Sequence, residues 1–388
     1  MITYGDWPHF RGSNYDGISP ESINHQQWIN GKPKEAWRAN VGIGFSGCVV
    51  SKGHVYSMGN INKNTDVITC LAESTGKVVW TKKYSSKLKP NLYEGGPNAT
   101  PTISAGRLFS LSKNGDMFCL NARTGKVLWE RHLVKEINAK VPRWGFSGSP
   151  LVIDNLVIVN VCQYGMALSV KTGKTVWQTD HEKASGNATP LLFELKNEKC
   201  LAIFSAEAIN AVDYKTGKLL NTYPWKTNND VNAADPISLD NDRWFITSGY
   251  GKGCGVVDFS TDKGKLVWGN KKILSQFMSP VLWEDHIYCL TSKAGSKGKL
   301  VCLDPKTGKV KWQERVPAVG NIMIANDELV MLGAKGTLTV IKLSSQKYES
   351  LATAKVISGK CWTAPSLTNG KLYVRNAVGD IICYDVSH

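Results

Sequence analysis

Chemistry in this chain of 388 residues would have to come from scattered polar and aromatic side chains, because no close Cys/His spacing for zinc and no Cys-x-x-Cys-His haem attachment is present. Arg143 and Trp144 set a guanidinium, with its fixed fork of donors, beside a large stacking surface. The pair occurs once. Asn98, Asn187 and Asn232 are each followed by Ala, and their amides could cap backbone turns or bind a ligand. Asp235 precedes Pro236, which holds it extended and lets its carboxylate project as a ligand or base. Glu207, Gln276 and Trp362 complete the set, with a stacking platform and core packing as two equal readings of Trp362. Planar stacking groups mixed with bidentate polar groups suit a sugar or another planar polar ligand. His181, between Asp180 and Glu182, has the residue type of a general base or metal ligand, although a loop histidine is ordinarily solvated.

What positions these residues is a repeat. Leu71-Ala-Glu-Ser-Thr-Gly-Lys-Val-Val-Trp80 recurs as Leu120-Asn-Ala-Arg-Thr-Gly-Lys-Val-Leu-Trp129, with further copies ending at Trp177, Trp225, Trp268 and Trp312. The mean step is about 46 residues, the length of a four-stranded propeller blade. In the second copy, Thr100–Ser104, Arg107–Ser112, Asp116–Leu120 and Val127–Trp129 read as four strands separated by Ala-Gly, Asn-Gly and Thr-Gly turns. No useful helical period interrupts the pattern. The class is all-β.

Six copies are complete, and a seventh runs from Asn321 to Glu349 with Tyr348 in the tryptophan role. The eighth stops one strand short at Asp385. Its missing strand is expected from Pro33-Lys-Glu-Ala-Trp37-Arg-Ala-Asn40, which would close the ring and remove two open sheet edges. The expectation is therefore an eight-bladed β-propeller over residues 35–388, preceded by an N-terminal extension, 1–34, that packs on it. In such a ring the loops leading into each inner strand surround one channel mouth, and they carry Tyr93, Asn98, Arg143, Trp144, Asn187, Asn232, Asp235, Gln276 and Trp362; Glu207 and Tyr250 come from the loops between second and third strands.

The formal net charge of +15 raises nucleic acid, anionic membrane surfaces and acidic polysaccharides as partners. Many of the lysines are spread through the Thr-Gly-Lys turns, so a solvated basic surface accounts for the surplus and no specific nucleic-acid partner is expected. No apolar run approaches the roughly 18 residues of a membrane span. Of the ten cysteines, Cys70, Cys119, Cys302 and Cys383 share one third-strand position in different blades and read as small core hydrophobes. Cys289 and Cys302 are the one sensible disulfide pair, if the hairpin between them brings them face to face.

The Asp/Asn-x-x-Thr-Gly-Lys-x-x-Trp repeat resembles the tryptophan-docking motif of the quinoprotein-like propellers, the pyrroloquinoline-quinone-like repeat family, and the likeness covers nearly the whole chain. The opening Asp6-Trp-Pro-His-Phe-Arg-Gly12 is similar to the N-terminal segment of bacterial quinone-binding-like repeat proteins. The resemblance implies either a quinone- and calcium-dependent dehydrogenase of alcohols or sugars, or a non-catalytic relative such as the outer-membrane assembly lipoproteins. It also implies a periplasmic or secreted location, which requires a signal peptide beyond this sequence. The adjacent cysteines common in the dehydrogenases are missing, and Glu207, Asn232 and Asp235 are calcium-ligand candidates by residue type alone. The reading is a monomeric propeller that binds a polar ligand or a protein partner at the channel mouth. The quinone/calcium enzyme and a polyanion-binding propeller are its alternatives.

Overall fold

A computed structural model describes residues 5–28, 31–91 and 93–387; Leu92 of the second-blade loop lies outside them. Eight antiparallel four-stranded blades follow one another along the chain, and the sheet of the seventh gains Ile18–Ser19 as a fifth, parallel strand. Blades 1 to 7 occupy residues 49–85, 102–132, 151–178, 191–224, 237–270, 281–316 and 321–355. Blade 8 has Ser366–Thr368, Lys371–Arg375 and Asp380–Asp385, and the strand Lys34–Asn40 pairs with Asp380–Asp385 as its fourth. This is the closure expected from the sequence. Helix is confined to Leu133–Ile137 and a 3-10 turn at His25–Gln27 among the described residues.

Each blade buries its second and third strands on both sides and exposes alternate residues of its outer strand, as blade 1 shows in His54–Ile61, Thr65–Ala72 and Val78–Ser85. Across the blade an aromatic residue, a cysteine and the tryptophan stand in register: Tyr56, Cys70 and Trp80; Phe109, Cys119 and Trp129; Tyr288, Cys302 and Trp312. A small thiol leaves room for the two flanking rings, whose centroids lie 6.0 Å apart in these three blades. The tryptophan also reaches the next blade. Its indole N–H donates to a backbone carbonyl there, as Trp80 does to Ala122 (2.9 Å), Trp129 to Val170 (3.0 Å) and Trp268 to Pro305 (2.8 Å). The ring lies on the glycine of the neighbour's turn: at Gly173, whose φ is +71°, an added Cβ would meet Trp129 at 2.7 Å.

Three expectations need correction. In blade 4 the tryptophan place is held by Asn221, opposite Ala211, whose amide donates to the Phe259 and Thr261 carbonyls of blade 5; Trp225 lies beyond the strand Leu219–Pro224. In blade 7 the outer strand is Ser350–Lys355 with Ala352 in that place, and Tyr348 instead packs edge-on against Trp312. Cys289 faces Val301 while Tyr288 faces Cys302, so the two thiols project from opposite sides of the sheet and all ten cysteines are free and buried.

The segment before the first blade crosses the end of the channel opposite the loop-rich mouth. Trp7 bridges to Val50 of blade 1, the Pro8 carbonyl accepts from Ile103 N of blade 2, Arg11 donates to the Pro280 carbonyl of blade 6, and Ile18–Ser19 pairs in parallel with Ile324 and Ala325 of blade 7. Asp6 caps the turn at the far end of the first inner strand, accepting from Ser51 Oγ at 2.8 Å and Lys52 N at 3.1 Å. Gly12 makes the crossing possible, because at its φ of +85° a Cβ would strike the Trp7 ring at 2.8 Å.

Candidate functional site at the channel mouth

Inner strands converge on the axis, and just before most of them stands a residue followed by proline. That position forms a girdle of bonds from blade to blade. Gly47 N donates to Thr100 Oγ1, Thr100 N to Ser149 Oγ, Ser149 N to Thr189 Oγ1, Thr189 N to Asp235 Oδ1 and Asp235 N to Ser279 Oγ, at 2.8 to 3.3 Å. A hydroxyl oxygen suffices for this role. At Asp235 a carboxylate does the work with one oxygen, and Oδ2 is left buried without a partner. Burial pushes this carboxyl up to about 6, against the opposing field of the buried Arg11 guanidinium and the bond from Thr189 N.

Above the girdle is a cavity of about 410 Å³, entered from the loop-rich mouth and closed below by Phe10 of the N-terminal segment. Its neck is a nearly continuous ring of aromatic contacts. Phe277 meets Trp362 at 5.3 Å, Trp362 stacks on Phe45 at 5.3 Å, and Phe45 meets Tyr93 at 6.1 Å. Tyr93 Oη donates to the Trp144 carbonyl at 3.3 Å, Trp144 stacks on Tyr250 at 6.4 Å, and Tyr250 Oη accepts from Gln276 Nε2 at 3.0 Å, beside Phe277. Loops of blades 1, 2, 3, 5, 6 and 8 therefore hold one another through their aromatic tips. Outside the ring, the Arg143 guanidinium lies 4.9 Å from the Trp144 ring and Lys360 Nζ 4.5 Å from that of Trp362.

Seven of the nine sequence-derived residues line this cavity: Asn98, Arg143, Trp144, Asn187, Asp235, Gln276 and Trp362. Asn187 spends its amide N–H on the Gly145 carbonyl and Ser147 Oγ and leaves Oδ1 unpartnered. Asn98 donates to the same Ser147 hydroxyl at 3.3 Å. The other two are placed elsewhere. Asn232 is fully buried, donating to the Ser205, Ala206 and Trp225 carbonyls and accepting from Ser248 Oγ, so its side chain is spent on the fold. Glu207 is exposed and ion-paired to Lys226 at 2.7 Å, outside the cavity lining, and His181 is outside it as well. Phe10, Phe45 and Lys293 were not foreseen. Phe10 had a signal in the N-terminal Trp-Pro-His-Phe-Arg run, but nothing local says that this run crosses the channel.

A calcium-dependent quinone cofactor is poorly matched by these residues. Among the described residues no three His, Cys, Asp or Glu side chains come together as a metal site, and Asp235 is the single carboxylate of the cavity wall. A hard cation that takes roughly six to eight oxygens lacks a donor set there.

Residues 63–314 match the family described as outer membrane protein assembly factor BamB. The chain belongs to this family. Among curated relatives in the BamB family, the assembly factor of Burkholderia pseudomallei is 22% identical over 255 residues, 63% of this chain and 59% of the relative, so the match spans less than two thirds of that protein. The assembly factor of Escherichia coli is 22% identical over 365 residues, 79% of this chain and 88% of the relative. A europium-containing methanol dehydrogenase superposes with a TM-score of 0.71 at 14% identity, covering 97% of this chain and 90% of that one, which shows the shared fold.

Proposed function

We propose that this protein is an extracytoplasmic binding propeller that takes a polar, sugar-like ligand in the cavity at its channel mouth. The carrying observation is a neck of aromatic rings, Phe277, Trp362, Phe45, Tyr93 and Trp144, around a cavity whose wall also carries Asn98, Asn187, Asp235 and Gln276. Aromatic faces favour the apolar faces of a sugar or another flat ligand, and a few polar groups beside them fix its orientation. Lys34–Asn40 covers the edge of Asp380–Asp385 that would otherwise stay open and completes blade 8 as a four-stranded sheet like the others, which supports a monomer. An exported location follows from the relatives' description as outer membrane assembly factors.

The test is a titration of the purified protein with neutral oligosaccharides, following tryptophan fluorescence. Saturable quenching, lost in both Trp144→Ala and Trp362→Ala, is the expected result. Calcium-dependent binding of pyrroloquinoline quinone with dye reduction would replace this reading with the dehydrogenase one. The second reading, a protein partner docked on the same mouth, is favoured by the name of the matched family. It predicts that the two alanine variants lose a partner isolated by crosslinking while sugars leave the fluorescence unchanged.

A further inference from the structure

We propose that the saccharide seated in the cavity is an acidic one, whose carboxylates, as in a hexuronate chain, lie at the rim against Arg143 and Lys293. This rests on the sugar-binding reading above. The cavity is polarised along its axis. The single carboxylate of its wall, Asp235, is buried in the girdle between Thr189 and Ser279, so a ligand carboxylate does not belong at that end.

The rim carries the opposite sign. Arg143 and Lys293 line the cavity as exposed cations, and Lys360 and Lys252 lie over Trp362 and Trp225. Of these four, among the described residues, only Lys360 has a carboxylate within 4 Å, Glu94 at 2.7 Å. Unpaired cations beside low-dielectric aromatic walls raise the local concentration of anions, and a guanidinium binds a carboxylate in a paired, directional fashion. A neutral sugar would leave Arg143 and Lys293 unused. A cationic ligand is disfavoured twice, by the rim and by the buried Arg11, whose field already compensates the Asp235 charge. The molecule's net charge of +15 would also draw an acidic chain toward it.

The experiment is isothermal titration at two salt concentrations with three probes: a galacturonate tetrasaccharide, a neutral tetrasaccharide of the same linkage, and dextran sulfate as a generic polyanion. The expected result is about tenfold or greater preference for the uronate over the neutral sugar. The double variant Arg143→Gln/Lys293→Gln, both exposed positions, should erase that preference by weakening the uronate more than the neutral sugar, while Trp362→Ala should weaken both sugars. Equal affinity for the two sugars would overturn the acidic preference and leave the sugar-binding reading standing. Failure of both sugars to bind would overturn that reading and this one together. Uronate and dextran sulfate binding alike, with Trp362→Ala without effect, would assign the affinity to general surface charge and overturn the proposal.

Discussion

Asp235 shows what a carboxylate costs at a place where a hydroxyl suffices. Its counterparts in the girdle, Thr100, Ser149, Thr189 and Ser279, do the same backbone work with a hydroxyl. Its folded pKa is raised to about 6 by burial, so the fold prefers the protonated form. Well below pH 4, folded and unfolded states are both neutral and no penalty applies. As pH rises from about 4 to 6 the unfolded carboxyl ionises freely while burial holds the folded one back, and stability falls by up to about 3 kcal/mol. Asp235→Asn is therefore expected to be about 1–3 kcal/mol more stable than the parent at pH 7.5 and nearly equal to it at pH 4. Urea denaturation at the two pH values measures this; the same gap at both would refute it. Asp235 was legible because Pro236 marks the start of an inner strand. That its second oxygen is orphaned was not, because the partner of the first, Thr189, lies 46 residues away.

At the scale of the element, the repeat is held by a tryptophan wedged onto the next blade's turn. Trp129 illustrates the division of that contact into ring and N–H. Trp129→Phe should cost about 1 kcal/mol, for the lost bond to Val170, and Trp129→Ala about 3–5 kcal/mol, because the ring's contacts go too. Gly173→Ala should cost about 1–3 kcal/mol through backbone strain and collision with the same ring. Thermal denaturation ranks the three; if Gly173→Ala proved neutral, the turn would not be the seat of the tryptophan. Spacing along the chain found most of these wedges. It failed at Trp225 and Tyr348 because β-pairing register decides which residue faces the neighbouring blade, and both stand just outside their strands.

The whole molecule depends on two long-range closures made by its first forty residues. Lys34–Asn40 completes blade 8, and the seam to blade 1 is held by Trp37 on the Glu73 carbonyl and by the buried Arg375, which donates to the Ser46 and Gly42 carbonyls and to Ser57 Oγ. Deleting residues 1–40 should abolish cooperative unfolding and produce aggregates, since blade 8 would expose an open strand edge. Deleting residues 1–19 should keep the ring and open the floor beneath Phe10, seen as faster amide exchange in the inner strands near Val50, Ile103 and Ile324. Equal exchange in the truncated and full-length proteins would show that the segment does not seal the channel.

The sequence by itself determined the all-β class, the blade count and the strand that closes the ring. Each of these is written locally, in strand period, turn residues and the recurrence of Thr-Gly-Lys-x-x-Trp. It also nominated most of the mouth, because loops before inner strands must face the axis. Only the tertiary structure decided which candidates meet. Asn232 turns inward to bind carbonyls, Glu207 turns outward to Lys226, and Phe10 arrives from the N-terminal segment, 35 residues before the next wall residue, Phe45. Side-chain direction at a channel is set by contacts among eight blades at once, and no single stretch of chain encodes it.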